Sequence, residues 1–157
     1  MTATARRVLI VANRTATTDG LLDAVRQRAR SQPVTFHLLV PATPRGLHRV
    51  VDPEVAGREE AAAQLEQALE LLREAAGASV TGHVGDADPM AAISDTLHRQ
   101  EVDEIIISTL PRRLSRWMRL DLPSKVRGLG RPVTHVEAAR VPVLEGEPEE
   151  VAGDRAA

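Results

Sequence analysis

Ile105-Ile106-Ile107-Ser108-Thr109-Leu110-Pro111-Arg112-Arg113-Leu114-Ser115-Arg116-Trp117-Met118-Arg119 is the stretch on which the reading of this chain turns. Three consecutive β-branched residues predict a strand covered on both faces, as in a parallel sheet. The strand runs straight into an arginine-dense connection. In an open α/β sheet, ligands sit just outside the carboxyl ends of the strands. A functional site is therefore expected at this junction.

Working outward, Val8-Leu9-Ile10-Val11-Ala12 is a second run of the same buried type, left through Asn13-Arg14-Thr15. Thr18 or Asp19 can cap a helix whose inner face is Leu21, Leu22, Val25 and Ala29. Val34 to Val40 reads as the next strand. Residues 41–57 hold Pro41, Pro44, Pro53, Gly46 and Gly57 and read as a long loop. From Arg58 the stripe Leu65, Leu69 and Leu72 predicts an amphipathic helix, with Gly77 where a C′ glycine belongs. Ser79 to Val84 is the third strand. Asp88 and Pro89 supply an N-cap and a first helical position, and Met90, Ile93 and Leu97 an inner face. A short helix over Pro123 to Gly128 and a closing strand over Arg131 to Val136 complete the pattern.

This β-α repetition predicts a single α/β domain over residues 1–136. Its sheet is open, five-stranded and parallel, in the order 3-2-1-4-5, with helices on both faces. The switch point falls between the first and fourth strands, which places Asn13-Arg14-Thr15 beside Ser108-Thr109. Residues 137–157 are acidic and rich in Pro, Gly and Ala, and read as a disordered tail. Val141-Pro142-Val143-Leu144 within them could form an edge segment.

Composition narrows the function classes. With one Phe, one Trp and no Tyr, the core must be built from aliphatic residues. A net charge of −2 gives no global attraction to nucleic acid, and no nucleic-acid partner is expected. The absence of cysteine excludes thiol chemistry and disulfides. No apolar run approaches the ~18–20 residues of a membrane span, and the N-terminal apolar run is too short for a signal sequence. A cytoplasmic protein without a membrane partner is expected. Charge is nevertheless segregated: residues 112–131 carry seven bases against Asp121 alone, and residues 137–157 carry six acids against two bases.

The strand–helix order, the long loop after the second strand, Gly85-Asp86-Ala87-Asp88-Pro89, Val102-Asp103-Glu104-Ile105-Ile106-Ile107 and Arg131-Pro132-Val133 together resemble the universal stress protein family over residues 6–136. The resemblance implies an adenine nucleotide alpha hydrolase-like fold, a stress-related regulatory role and pairing through the last strand. In that family, members that bind ATP carry Gly-x2-Gly-x9-Gly-Ser/Thr after the fourth strand, whose backbone amides cradle phosphates. Laid on this chain, the glycine positions fall on Ser108, Pro111 and Asp121, and the hydroxyl position on Leu122. None is glycine, Pro111 has no N–H, and Asp121 would repel phosphate. The family's aspartate at the end of the first strand is Asn13 here. ATP held in the usual way is not expected.

Two functional readings stand beside a plain structural one. In the first, a regulatory protein acts by homodimerisation and partner contact. Arg116 and Trp117 form a docking surface and Val133 and His135 a dimer edge. In the alternative, Asn13, Arg14, Thr15, Val40, Ser108 and Thr109 form a nucleotide or anion site. Arg112 and Arg113 then replace the glycine loop, and the candidate ligands are ATP, AMP and cyclic AMP. The plain reading makes the arginines a solvated basic turn with Trp117 over the core edge. Arg112/Arg116 and Arg116/Arg119 are helically spaced. The acidic tail could fold back onto these arginines. No enzyme is expected. Ser108 lacks a Gly-x-Ser-x-Gly elbow, no Walker or Gly-x-Gly-x-x-Gly motif is present, and no general base can be named. The histidines at 37, 48, 83, 98 and 135 lack metal-ligand spacing, and His37 and His135 read as structural groups.

Overall fold

The computed structural model describes residues 4–42 and 53–138. Five strands form one parallel sheet in the order β3-β2-β1-β4-β5: β1 Arg6–Val11, β2 Val34–Pro41, β3 Val80–Gly85, β4 Glu104–Thr109 and β5 Val133–Glu137. Register is set by Arg6↔Val34 and Val11↔Leu39 on one side of β1, and by Val8↔Glu104 and Val11↔Ile107 on the other. The helices are α1 Asp19–Ser31, α2 Pro53–Ala76, α3 Pro89–Arg99, α4 Arg116–Arg119 and α5 Leu122–Arg127. A 3-10 turn occupies Arg112–Leu114.

Alternation along each strand splits the core into two layers. Ile10, Phe36, Leu38, Val40 and Ile106 pack against Leu21, Val25, Ala68 and Leu72 of α1 and α2. Leu9, Val11, Leu39, Ile105 and Ile107 pack against Ile93 of α3, Trp117 of α4 and Val126 of α5. Strands buried on both sides need apolar residues at every position, which explains the uninterrupted runs at 8–12 and 105–107. Gly82 lies where α2 crosses the sheet: a Cβ there would sit 2.7 Å from Leu65 Cδ1 and 2.8 Å from the Leu38 carbonyl oxygen. Gly77, at φ +67°, turns the chain after α2. At the opposite end from the strand carboxyl termini, buried Glu104 receives Arg6 Nε at 2.8 Å and also pairs with Arg28. Arg7 pairs with Asp103 and Glu101.

Several boundaries differ from the sequence reading. The loop expected over 41–57 gives way to α2 at Pro53; proline serves here as a helix start, where its missing N–H has no helical partner anyway. Residues 43–52 lie outside the described residues, His48 among them. Thr18 occupies the N-cap of α1, but its hydroxyl donates to the Thr15 carbonyl at 2.9 Å instead of capping. Arg112 and Arg116 do not share a helix: Ser115 interrupts, its Oγ accepting from the Met118 amide at 3.1 Å to start α4. β5 starts at Val133, not Arg131, and runs to Glu137. The Ala138 amide then donates to the Thr109 carbonyl at 2.9 Å. The acidic tail from residue 139 onward, with the proposed edge segment 141–144, lies outside the described residues. Among the described residues no helix is long and apolar enough to cross a membrane.

Candidate functional site

The neighbouring of β1 and β4 brings the ends of two distant segments together at the point where strand order reverses. After β1, Asn13 Nδ2 donates to the Pro41 carbonyl at 3.2 Å, tying the exit of β1 to the end of β2. The Ala16 amide donates to the Asn13 carbonyl and the Thr18 amide to the Thr15 carbonyl, closing two successive turns. These turns face Thr15 towards β4, where its Oγ1 accepts from Ser108 Oγ at 2.7 Å, both groups buried. Next to them the Thr109 hydroxyl is hydrogen-bonded to His135 Nε2 of β5 at 2.8 Å.

Above these hydroxyls lies a cleft of about 200 Å³. One wall is Asn13, Arg14 and Thr15; the floor is Ser108 and Thr109. The far wall is Leu110, Leu114, Ser115, Arg116 and Trp117. Two guanidinium-bearing residues, both exposed, flank the cleft, and no Asp or Glu lines it among the described residues. Its chemistry is that of a receptor for a small anion carrying an apolar portion: arginine forks for charge, Trp117 and two leucines for the apolar body. Trp117 is only 8 % exposed, so it belongs to the core beneath α4 while offering an edge to the cleft.

Five of the residues expected at the crevice therefore line it, Asn13, Arg14, Thr15, Ser108 and Thr109, and they are joined by Arg116 and Trp117, which the sequence places on a docking surface. Val40 does not line it. Alternation along β2 turns its side chain into the α1–α2 layer, where it is fully buried. Arg113 is exposed on the 3-10 turn and is not a wall of the cleft among the described residues; the Arg112 side chain lies outside them. The second basic residue of the cleft is Arg116, which opens α4 after the Ser115 cap. Leu110, Leu114 and Ser115 are further walls, beyond those the sequence points to. Ser115 three residues before Met118 is the capping signal that could have indicated them.

Burial lowers the pKa of His135, reinforced by Arg127 and opposed by Glu137. Val133 and His135 lie half-buried on β5, whose only sheet neighbour among the described residues is β4. At the other sheet edge His37 Nδ1 meets Thr81 Oγ1 and His37 Nε2 meets His83 Nδ1, both at 2.7 Å. Burial, and the neighbouring His83, bring the pKa of His37 down to about 4. Among the described residues no group of three or more His, Asp or Glu side chains is arranged to hold a metal ion.

No family model and no curated protein matches the chain. Solved structures do. A universal stress protein from Archaeoglobus fulgidus superposes with a TM-score of 0.58 at 18% identity, covering 83% of this chain and 93% of its own. The same organism's protein in complex with dAMP gives 0.56 at 19% identity, with coverages of 85% and 98%. A universal stress protein in complex with cAMP gives 0.58 at 14% identity, with coverages of 87% and 100%. The chain has the universal stress protein fold.

Proposed function

We propose that the chain is a regulatory protein of the universal stress protein type whose cleft binds a small anionic nucleotide, of the size of AMP or cyclic AMP. Arginine side chains do there what a glycine loop does for ATP. The observation that carries this reading is that Arg14 and Arg116 both line a cleft that no carboxylate lines among the described residues. The relatives of the same fold that hold cAMP and dAMP support it. A charge-assisted arginine–phosphate contact contributes ~1.5–3 kcal/mol, enough to decide whether a small ligand is held. Pro111 and Asp121 still argue against a triphosphate on backbone amides.

The role is one of binding and not of catalysis. The floor hydroxyls are engaged within the fold, Ser108 with Thr15 and Thr109 with His135. The output would pass through partner contact in the cytoplasm. Among the described residues β5 pairs only with β4, and an edge strand needs cover, which favours a homodimer paired along Val133 and His135.

Calorimetric titration of the full chain with AMP and with adenosine tests the ligand reading. AMP should bind at least tenfold more tightly than adenosine, since the phosphate engages the arginines. Equal affinity for both, or no heat at millimolar AMP, would overturn it. Sedimentation that yields only monomer at high protein concentration would overturn the dimer.

A further inference from the structure

The surface around the cleft is an apolar patch inside a basic rim. Among the described residues only three large apolar side chains are more than a third exposed, and two of them stand here: Leu114 at 58 % and Leu120 at 51 %. Leu114 lines the cleft, and Leu120 lines a smaller depression next to it. Trp117 lines both, so the two leucines flank one indole. Arg113, Arg116 and Arg119 are exposed around them. A patch of this composition takes a partner that is apolar at its centre and acidic at its edge.

The chain carries such a segment, attached at the right place. β5 ends at Glu137, and the Ala138 amide is bonded to the carbonyl of Thr109, a residue of the cleft floor. The chain therefore leaves the described fold at the cleft. Beyond it come Val141-Pro142-Val143-Leu144, then Glu145, Glu147, Glu149, Glu150 and Asp154, with no base between 141 and 154. Leu144 is six residues past Ala138, a reach of up to ~20 Å, sufficient to span a cleft that begins beside the attachment point.

We infer that residues 141–154 dock on this patch in their own chain. Val143 and Leu144 supply the apolar part that suits Leu114, Trp117 and Leu120, and the glutamates the charge that suits Arg113, Arg116 and Arg119. The inference deepens the proposed function, since a tail seated there shares Arg116 with the ligand and competes with it. Exposed ion pairs are individually weak, so the docked state is held by several weak contacts and is released by salt or by a ligand.

Trp117 is the only tryptophan and the chain has no cysteine, so a fluorescent acceptor on Ala152→Cys reports its distance to Trp117 without ambiguity. Energy transfer in the labelled full chain should be high at low ionic strength. It should fall as salt shortens the screening length from ~30 to ~3 Å. It should also fall when Glu145, Glu147, Glu149 and Glu150 are changed together to Gln, or when Leu114→Ser and Leu120→Ser are combined; all are exposed or outside the described fold. Transfer that ignores salt and both sets of changes overturns the inference. So does transfer that drops on dilution with unlabelled chain, which places the tail on a second copy. No ligand enters this measurement: salt-sensitive transfer in a chain that fails to bind AMP removes the ligand reading and leaves the docking intact.

Discussion

Ser108 and Thr15, 93 positions apart in the chain, are joined by a 2.7 Å hydrogen bond between their buried hydroxyls. This contact fastens the end of β4 to the turn after β1 and makes the floor of the cleft a fixed surface. A buried hydroxyl that loses its partner retains its desolvation penalty, so the two residues should act as a unit. Ser108→Ala is expected to lower stability by ~0.5–1.5 kcal/mol, Thr15→Val by a similar amount, and the double variant by less than the sum. Chemical denaturation of the four chains measures the coupling. Strict additivity would show that the bond contributes nothing.

At the other end of the sheet, Glu104 is 2 % exposed and serves two arginines, each 34 % exposed. Its replacement by Leu leaves Arg6 and Arg28 without their shared carboxylate. For fully enclosed pairs that loss is ~3–5 kcal/mol. Here both cations can turn to water, so a loss of about 2 kcal/mol is expected in urea unfolding. A Glu104→Leu chain as stable as the parent would mean that the buried carboxylate is neutral to stability.

Two glycines should respond in opposite directions. A Cβ at Gly82 meets the Leu38 carbonyl at 2.8 Å, a backbone atom that cannot move aside cheaply, and Gly82→Ala is expected to destabilise by ~1–3 kcal/mol. At Gly20, in the first turn of α1, a Cβ meets only Val136 Cγ1 at 3.5 Å, an ordinary contact. Gly20→Ala should stabilise by about 0.5 kcal/mol through reduced freedom of the unfolded chain. Thermal melting of both variants checks the pair of signs.

The strand order was legible because the buried runs at 8–12 and 105–107 can belong only to central strands. The Asp88–Pro89 helix start was legible because side-chain capping is local, and Asp88 Oδ1 does accept from the Met90 amide at 3.2 Å. What failed depended on context. In the sequence Pro53 reads as a breaker, whereas the same rigidity starts α2. The helical spacing of Arg112 and Arg116 was cancelled by one serine that prefers to cap. Val40 shares a face of β2 with Phe36 and Leu38, which turns it into the α1–α2 layer and away from the cleft. The His37–His83 contact was hidden because it depends on the register between β2 and β3, which no local signal prints.

That histidine pair gives the fold a pH dependence. The pKa of His37 lies near 4 in the folded state, through burial and the neighbouring His83, against ~6.5 in an unfolded chain. Between those values the unfolded state binds more protons, so its population is favoured as pH falls. Full stability is expected above about pH 6.5, with a decline towards pH 4. His83 is lowered as well, by burial and by Arg99, and adds to the same slope. A chain carrying His37→Gln should show a shallower decline in denaturant midpoint over that range; an unchanged slope would assign the dependence to other groups.

In the proposed site, Arg14 and Arg116 hold an anionic nucleotide between the β1 and β4 connections. Trp117 lines the same cleft and is the chain's only tryptophan, so its fluorescence during an AMP titration reports occupancy directly. The parent chain should saturate. The Arg14→Gln, Arg116→Gln double variant, with both substitutions exposed and the fold intact, should lose at least tenfold in affinity. A titration curve that is the same in both chains would contradict the assignment of the site.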